Sequence, residues 1–481
     1  MLFNSFTFGI FLSIVFLIYW GLLRRSVRAQ NLLLLSASYL FYGWWDWRFL
    51  SLIALSSVVD FAVGQGLATV NGNRARKWLL GVSLAVNLGM LALFKYYNFF
   101  IETAVSLLSS LGFSPNIFAL QIILPVGISF YTFQTLSYTI DIYRRKIKPT
   151  QDIIAFFAFV SFFPQLVAGP IERAADLLPQ FLKPRVFDSA LARSGLRMML
   201  WGLFKKVVIA DNLAPVVDRT FANYSTLPTL TLIIGVLFFA FQIYCDFSGY
   251  SEIAVGSARL IGFNLTQNFN YPYLSRNVGE FWRRWHITLS SWFRDYLYIP
   301  LGGSRTSTRW RHLLNLIITF TLSGLWHGAN WTFVSWGVLH GLFYLPIVFS
   351  GQNRQYRGAV IASDRLWPTW HESLSWFTTF VFVSLAWVFF RAATIEDAFL
   401  ILGRIFNTEL WRPIILSPNN RALLLTIGTL FFIEWIQRNK EFPLDIAHYP
   451  LWMRWLIYYG IIGCILFYRA GASTSFIYFQ F

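Results

Sequence analysis

The sequence predicts an all-α, polytopic membrane protein, and three observations lead to that class. Of its 481 residues, 56% are hydrophobic and 13% are charged, whereas soluble proteins carry about 25% charged residues. The apolar residues form long continuous runs, and a transmembrane barrel would show short alternating segments instead. Lysine and arginine cluster in patches between the runs, as in cytoplasmic loops. We therefore assign the net charge of +17 to membrane topology and anionic partners, and not to nucleic-acid binding.

The first third of the chain gives the firmest topology. Residues 6–23 are long enough to span a membrane and lack the cleavage pattern of a signal peptide, so we expect a retained first helix. Basic patches at residues 24–28, 74–77 and 144–148 all agree with a cytoplasmic location. This orientation places the N-terminus outside the cytoplasm.

The remaining helices and loops are predicted from the apolar runs and from the helix-breaking residues proline and glycine. Pro125 and Gly127 are expected to kink or break a segment over residues 117–143. We predict loops at residues 177–192, 354–372 and 391–418, and a short helix at residues 198–209 that is either amphipathic or half-buried. Other apolar segments are predicted at residues 31–45, 49–67, 78–94, 153–169, 229–244, 373–390, 423–436 and 455–468. Residues 95–112 mix aromatic with polar side chains and are expected in the membrane interface. The total is about 11–12 full or partial crossings in a single domain, residues 1–481, with its core over about residues 120–350.

One uncharged stretch organises the chain. Residues 313–353 contain no Asp, Glu, Lys or Arg, which is too long for one crossing and suits two crossings or one crossing with a re-entrant segment. The break is expected at residues 324–330, where Gly324, Gly328 and Asn330 loosen the helix. His327 then lies at irregular backbone near the membrane, where an ionisable residue is a functional-site hypothesis. The alternative is that His327 bonds a neighbouring carbonyl group and only packs.

Several kinds of chemistry find no support in the sequence. The six histidines show no helical zinc spacing, no P-loop is present, and no Gly-x-Ser-x-Gly elbow occurs. The two cysteines lie in apolar runs and suggest neither a disulfide framework nor a metal site. What remains is a pair of histidines in aromatic settings, His286 and His327. A neutral buried imidazole can accept the proton of a hydroxyl group, as acyl transfer to an alcohol requires.

Polar residues near these histidines are further candidates. Arg283 and Arg284 can recognise phosphate through planar donors, although each single arginine can also be a cytoplasmic anchor. Asp246 and Ser248 follow an apolar span, where Asp246 is either a helix-end partner of an arginine or part of a polar tunnel. We interpret His340 as a packing or interfacial residue.

Four motifs carry a resemblance to a known family. They are residues 159–173 (Phe-Val-Ser-Phe-Phe-Pro-Gln-Leu-Val-Ala-Gly-Pro-Ile-Glu-Arg), 244–252 (Tyr-Cys-Asp-Phe-Ser-Gly-Tyr-Ser-Glu), 281–286 (Phe-Trp-Arg-Arg-Trp-His) with its continuation to 303, and 326–328 (Trp-His-Gly). Residues 387–391 (Trp-Val-Phe-Phe-Arg) and the aromatic C-terminus, expected to dock on the bundle, fit as well. The chain resembles the membrane-bound O-acyltransferases, and most of all the branch that contains the membrane subunits of alginate O-acetylation.

The resemblance implies a fold and a reaction. The family fold is a ring of tilted helices around a central tunnel, which the donor enters from the cytoplasm and the acceptor from the opposite face. The histidine of the Trp-His-Gly motif corresponds to His327 and is the catalytic residue, and the second polar position corresponds to His286. We expect substrate contacts from these motifs and from the residues that follow them: Arg283, Arg284, Trp285, Trp326, Asn330, Asp246 and Ser248.

The resemblance also implies the substrates and partners. The donor is acetyl-CoA or another acyl thioester, no cofactor is tightly bound, and no metal is expected. An extracytoplasmic acetyltransferase receives the acetyl group and places it on a polysaccharide. Two alternatives stay open: a D-alanyl transfer protein, whose acyl group comes from a carrier protein and goes to teichoic acid, and a transporter of a polar substrate. Transporters often show inverted repeats, and none is visible in this sequence.

Overall fold

The structure, a computed structural model, describes residues 1–113, 120, 122–167, 169–306, 308–352, 356, 358, 360–407, 412, 414–469 and 476–477. All regular secondary structure in these ranges is helical, which confirms the predicted class. The chain groups into two compact units. The first comprises Met1–Gly195 and Ser257–Thr266, and the second comprises Leu196–Gly256 and Gln267–Phe481. The expectation of a single domain stays a prediction.

The first unit holds the helices of the N-terminal part of the chain. Short π-helical turns at Ile18–Leu22 and Ala92–Tyr96 and a 3₁₀ turn at Trp47–Phe49 extend or join them. These helices are α1 (Phe6–Leu17), α2 (Val27–Asp46), α3 (Leu50–Thr69), α4 (Asn73–Leu91), α5 (Tyr97–Ser110), α6 (Ile128–Tyr143), α7 (Ile153–Ser161), α8 (Phe163–Leu166) and α9 (Ala174–Leu182).

The second unit holds both motif histidines. Helix α10 (Ser189–Leu203) begins in the first unit and continues into a π-helix at Phe204–Ala210. The other helices are α11 (Asp211–Ala222), α12 (Thr229–Leu260), α13 (Val278–Arg284), α14 (Ile287–Phe293), α15 (Arg309–His327), α16 (Trp331–Phe349), α17 (Trp370–Arg391), α18 (Ile395–Phe406), α19 (Pro418–Gln437) and α20 (Leu451–Tyr468).

Local sequence explains where the helices around the site begin. The side chain of Thr308 accepts a hydrogen bond from the backbone N–H of Arg311 and so caps α15, because the first N–H groups of a helix have no partner inside it. Asn330 caps α16 in the same way through the N–H of Thr332. The side chains of Thr369 and Glu372 form a capping box at the start of α17.

Among the described residues, six helical stretches are long and apolar enough to cross a membrane, judged by length and composition. Two of them, Val27–Thr69 and Asn73–Ser110, each consist of two of the helices above joined through a short irregular turn. The other four are Thr229–Leu260, Trp331–Phe349, Trp370–Arg391 and Leu451–Tyr468. These stretches agree with a multi-pass membrane protein.

Three predicted segments differ from the structure. The loop predicted at residues 177–192 is shorter than expected, because α9 reaches Leu182 and α10 starts at Ser189. The predicted loop at residues 391–418 contains α18, an amphipathic helix. The sequence 198–209 is not half-buried: its π-helical part, Phe204–Ala210, is buried throughout, lysines included. Pattern reasoning missed these elements because their polar residues are satisfied by tertiary partners.

Other differences concern the ends of helices. Helix α12 runs to Leu260 and not to residue 244, so Asp246 lies inside a helix and is not a helix-end residue. Helix α6 starts at Ile128, after Gly127 at φ 76°, which agrees with the predicted break. The predicted start of that segment at residue 117 lies outside the described residues. At the C-terminus Phe476 and Ile477 are buried, as expected, and residues 478–481 lie outside the description.

Candidate active site

The turn between α15 and α16 positions His327. As predicted, the uncharged stretch forms two helices with a break at residues 328–330. The glycines there allow close packing more than they loosen the helix. A Cβ atom on Gly328 would lie 2.2 Å from the ring of Phe333, and one on Gly324, inside α15, would lie 2.2 Å from the Phe333 carbonyl oxygen. The two helices can therefore approach closely only where the sequence has glycine.

His327 ends α15 inside an aromatic enclosure. Its side chain is buried, and its ring centre lies 5.0 Å from that of Trp326 and 5.1 Å from that of Trp336. Phe390 on α17 contacts the ring from another direction at 5.5 Å. The imidazole is thus shielded from bulk water by rings that offer few competing hydrogen bonds.

His286 lies at the junction of α13 and α14. Its side chain is fully buried, with an exposed fraction of 0%, and its backbone has φ 43° and ψ 54°. A non-glycine residue in this left-handed region carries a strain of about 1–3 kcal/mol, which surrounding structure must hold in place. Such strained residues cluster at functional sites.

A short backbone pairing holds this junction. The N–H of Ile287 donates to the Asn268 carbonyl oxygen over 2.9 Å, and the N–H of Asn270 donates to the Arg284 carbonyl oxygen over 2.9 Å. The side chain of Asn268 also reaches the histidine: its Oδ1 lies 3.1 Å from His286 Nδ1. Thr288 donates to the same oxygen through its backbone N–H and its hydroxyl group.

The two histidines meet although they lie on different elements. Their ring centres are 6.3 Å apart at an interplanar angle of 62°, and Trp326 contacts both rings. Buried ring nitrogens nearby have no hydrogen-bond partner within the described part of the chain, namely Trp285 Nε1, His286 Nε2, Trp336 Nε1 and His340 Nε2. Because buried polar groups are nearly always paired, this set indicates a place for a polar ligand.

Burial sets the protonation of His286. The residue lies outside the helices that are long enough to span a membrane, and desolvation lowers its pKa to about 3. Its imidazole is therefore neutral at physiological pH. A neutral ring has one nitrogen with a lone pair, which is the state needed to accept a proton or a hydrogen bond.

A cavity of about 810 Å³ opens beside the pair, within the size range of small-molecule sites. Its wall includes Ile287, next to His286, and Ser323, one helical turn before His327. The buried part of the lining is aromatic and hydroxylated. The outer part is basic, with Arg283, Arg294, Arg305 and His312. The basic part of the lining suits an anionic ligand, and the lining approaches the two histidines through their neighbours Ile287 and Ser323 and does not include the histidines themselves.

The predicted arginines occupy different environments. Arg283 is half-buried and lines the cavity. Arg284 is buried and points to Glu280, with an ion pair of 3.0 Å, and Arg276 pairs with the same carboxylate at 3.1 Å. Glu280 is only 1% exposed. This triad fixes the helix α13 that carries the motif, so the guanidinium of Arg284 is already occupied by protein partners.

Three other predicted residues surround the site. Trp285 packs at 5.0 Å against Trp387, and Trp326 packs beside the two histidines in contact with both. Asn330 is exposed and is engaged as the cap of α16, and its Nδ2 donates to the Ala393 carbonyl oxygen over 3.4 Å. The tryptophans therefore belong to the wall of the site, whereas Asn330 shapes the turn after His327.

Asp246 and Ser248 belong to a buried ionic network. Lys206 Nζ lies 2.7 Å from Asp246 and 2.8 Å from Asp211, and the N–H of Ile477 donates to Asp246 over 2.8 Å. The expected arginine partner of Asp246 is thus a lysine. Lys205 donates to the Ser248 hydroxyl group and pairs with Glu252. The network connects α12 to the π-helix and to the C-terminal segment.

Sequence reasoning missed Asn268 and the full burial of His340. Asn268 lies between Asn264 and Asn270, and no spacing distinguishes it from them. His340 is fully buried and its Nδ1 accepts a hydrogen bond from Trp282 Nε1 over 3.2 Å, which agrees with a packing role and not with an interfacial one. No group of three or more His, Cys, Asp or Glu side chains suited to a metal ion occurs among the residues described.

The fold and the site define a class: a multi-pass membrane protein with a buried histidine pair beside a basic cavity. Comparison with known proteins narrows it. The model of the MBOAT, membrane-bound O-acyltransferase family matches residues 144–391, more than half of the chain. The chain belongs to the membrane-bound O-acyltransferase family and is an O-acyltransferase.

Individual relatives agree with this assignment. The chain is 42% identical to a "Probable alginate O-acetylase" of Azotobacter vinelandii over 89% of its own length and 83% of the relative's. It is 36% identical to a peptidoglycan O-acetyltransferase of Helicobacter pylori, over 84% and 79% of the two chains. A teichoic acid D-alanyltransferase of Streptococcus thermophilus is more distant, at 28% identity over 45% and 55%.

Proposed function

We propose that this enzyme transfers an acyl group, acetyl by the names of its relatives, from a cytoplasmic thioester to an acceptor on the opposite side of the membrane. The observation that supports this most directly is the buried histidine pair next to a cavity with a basic outer part. An acyl thioester such as acetyl-CoA carries its phosphates at one end and its reactive carbonyl group at the other. The phosphates would therefore meet the basic outer part of the cavity, and the carbonyl group would meet its buried aromatic part.

The reaction proposed is a direct transfer. His327 removes the proton of an acceptor hydroxyl group as its oxygen attacks the thioester carbonyl carbon. The tetrahedral intermediate then loses the thiolate, which receives the proton from the His327 imidazolium. His286 orients or polarises a reacting group. Burial favours this chemistry, because a neutral imidazole can act as a base at physiological pH.

We assign the acceptor to the class of bacterial cell-surface polymers. The relatives are named for alginate and for peptidoglycan, and both polymers offer sugar hydroxyl groups. By resemblance, an extracytoplasmic acetyltransferase takes the acetyl group from this protein and places it on the polysaccharide. Purification of the tagged protein from native membranes tests this step. A preparation that modifies the polymer without such a partner would contradict it.

The central test uses purified protein in liposomes with labelled acetyl-CoA supplied at the basic cavity's side. Thioester loss and label transfer are followed for the unaltered chain, for His327→Ala and for His371→Ala. His371 is an exposed histidine on α17 and serves as the matched control. We expect loss of transfer only in His327→Ala. Equal rates in all three proteins would overturn the role of His327.

A second candidate donor is an aminoacyl carrier protein, as for the teichoic acid relative. The match to that relative covers 45% of the chain, against 89% for the alginate relative, so we favour acetyl-CoA. Offering each donor to the same liposomes separates the two. Transfer from the carrier protein alone would replace acetyl-CoA as the donor, and substrate flux without a covalent product would indicate a transporter.

A further inference from the structure

Asn268 contacts the imidazole of His286 in a way that determines which nitrogen carries the hydrogen. Both side chains are buried, with exposed fractions of 1% and 0%. The amide oxygen Oδ1 of Asn268 is 3.1 Å from His286 Nδ1. No other hydrogen bond of the His286 ring occurs within the described residues, since Nε2 has no partner there. The state of the ring therefore depends on this one contact.

The orientation of the Asn268 amide follows from Thr288. The backbone N–H of Thr288 can only donate, and it points to the same Asn268 atom over 3.3 Å. The Thr288 hydroxyl group lies 2.9 Å from that atom. The opposite amide orientation would set the amide NH₂ group against a backbone N–H, two donors without an acceptor. The atom facing His286 is therefore the oxygen, an acceptor.

An acceptor facing Nδ1 requires a hydrogen on Nδ1. In a neutral imidazole one nitrogen carries the hydrogen and the other carries a lone pair. Nε2 of His286 thus has the lone pair, and it lies buried without a protein partner. The arrangement is the one in which a third group fixes the tautomer of a histidine for its reaction.

We propose that Asn268 is a positioning residue that holds the hydrogen of His286 on Nδ1, so that His286 meets the reacting groups as a hydrogen-bond acceptor through Nε2. This inference rests on the proposed function and decides between the two roles given to His286 there. A ring without a hydrogen on Nε2 cannot polarise the thioester carbonyl group from that atom. It can orient a group that carries a hydrogen.

One group in the proposed reaction carries such a hydrogen when the bond to the acceptor forms: the N–H of His327 after that ring has taken the proton. The single hydrogen of the acceptor hydroxyl group goes to His327 and is not available to His286. The two rings are neighbours, with centres 6.3 Å apart, and the contact requires them to approach. It stabilises the His327 imidazolium, and it does not form if Nε2 carries the hydrogen.

The backbone of Asn268 also contacts the junction that carries His286. The carbonyl oxygen of Asn268 accepts a hydrogen bond from the N–H of Ile287. The backbone and the side chain of Asn268 therefore both contact the junction at which His286 has its left-handed conformation. The same residue, Asn268, thus stabilises the strained backbone next to His286 and contacts its ring. A substitution at position 268 that keeps the acceptor oxygen retains the side-chain contact, whereas an apolar one loses it.

The direct test is the tautomer itself, measured by nitrogen NMR on protein with ¹⁵N-labelled histidine, with His286→Gln used to assign the signals. This readout does not depend on activity, so it stands even if the proposed donor or acceptor is wrong. We expect the hydrogen on Nδ1 in the unaltered protein and a mixture of tautomers in Asn268→Leu. A hydrogen on Nε2 in the unaltered protein would overturn the proposal.

The kinetic test compares Asn268→Leu, Asn268→Asp and Thr288→Val. We expect Asn268→Leu to lower kcat by about 10²-fold or more with little change in KM, because general acid–base groups contribute about 10²–10⁴-fold. Asn268→Asp keeps an acceptor oxygen, so we expect transfer to be retained. The added negative charge favours the protonated imidazole, so the rise of the transfer rate with pH should occur at higher pH. Thr288→Val removes a second donor to the same oxygen and leaves the histidine contact in place.

The results distinguish a positioning role of Asn268 from a purely structural one. Rescue by Asn268→Asp with a displaced pH profile, together with near-normal transfer in Thr288→Val, supports the positioning role. Equal damage in Asn268→Asp and Asn268→Leu with an unmoved profile would overturn it, as would equal damage in Thr288→Val. Absence of transfer in the unaltered protein would refute the proposed function instead, and the NMR result would still decide the tautomer.

Discussion

The imidazole rings of His286 and His327 lie 6.3 Å apart in a buried aromatic enclosure, with Trp326 in contact with both. One ring ends a long helix and the other occupies a strained junction between two short helices. The described residues leave Nε2 of the His286 ring without a hydrogen-bond partner. A reacting group between them would contact both.

The pair should behave as a unit when it is altered. We expect His286→Ala and His327→Ala each to lower kcat for acyl transfer by about 10²-fold or more. The double variant should be little worse than the poorer single one, because residues that act together are strongly non-additive. Initial rates of label transfer measure this. Fully multiplicative losses would indicate that the two histidines act separately.

The basic part of the cavity should govern donor affinity. Arg283→Gln and Arg305→Gln remove charges from its lining, so we expect KM for acetyl-CoA to rise about 3- to 10-fold at low salt, with kcat nearly unchanged. The effect should shrink at high ionic strength, where exposed charges are screened. Arg421→Gln, an exposed arginine on α19, is the control. A salt-independent change would argue against phosphate recognition.

The turn after His327 should tolerate only glycine at position 328. In Gly328→Ala the added Cβ would meet the Phe333 ring at 2.2 Å, and overpacking of this kind costs about 1–3 kcal/mol. We expect lower thermal stability and lower transfer, with partial recovery when Phe333→Leu is added. Gly463→Ala on α20 is the control, because nothing lies within 4 Å of its new Cβ. Normal behaviour of Gly328→Ala would contradict the packing argument.

The network around Lys206 should matter for stability. Lys206→Met removes the cation between Asp246 and Asp211, and an uncompensated buried charge costs about 3–5 kcal/mol. We expect a large fall in the midpoint of thermal unfolding in detergent. Lys440→Met, at an exposed lysine, should leave the midpoint nearly unchanged. A similar midpoint in both variants would show that the network is not needed for folding.

Glu172 should make stability depend on pH. It lies between α8 and α9, where burial raises its pKa to about 7, and hydrogen bonds from Thr266 partly oppose that shift. The folded protein therefore binds a proton that the unfolded chain has released, and this contribution is complete below about pH 4.5 and is lost as the pH rises to 7. Glu172→Gln should flatten the dependence. Unfolding midpoints between pH 4.5 and 7.5 measure it, and identical slopes in both proteins would contradict the prediction.

Much of the fold could be predicted from the composition and from the residues that interrupt helices. The apolar runs predicted at residues 31–45 and 49–67 correspond to Val27–Asp46 and Leu50–Thr69. The break in the uncharged stretch falls at residues 328–330. The misses have one kind of cause. The helix predicted at residues 198–209 carries Lys205 and Lys206, which are buried against carboxylates on α12. Helix α12 continues past Asp246, whose carboxylate has a partner there.

The candidate site was predicted in part. Motifs pointed to both histidines, and the structure brings them together. Arg284 and Asn330, predicted to contact substrate, are engaged by Glu280 and by the start of α16. The sequence did not point to Asn268, because its role depends on the distance between its amide oxygen and the ring of His286, which lies 18 residues further along the chain.

By itself, the sequence determined the all-α membrane class, the approximate spans and the two histidines. Each of these depends on residue types along the chain and on their local spacing. Only the tertiary structure decided which polar groups are paired, which tautomer of His286 is held, and that a basic cavity lies beside the pair. Those properties depend on distances between atoms of remote segments, and helix packing sets such distances.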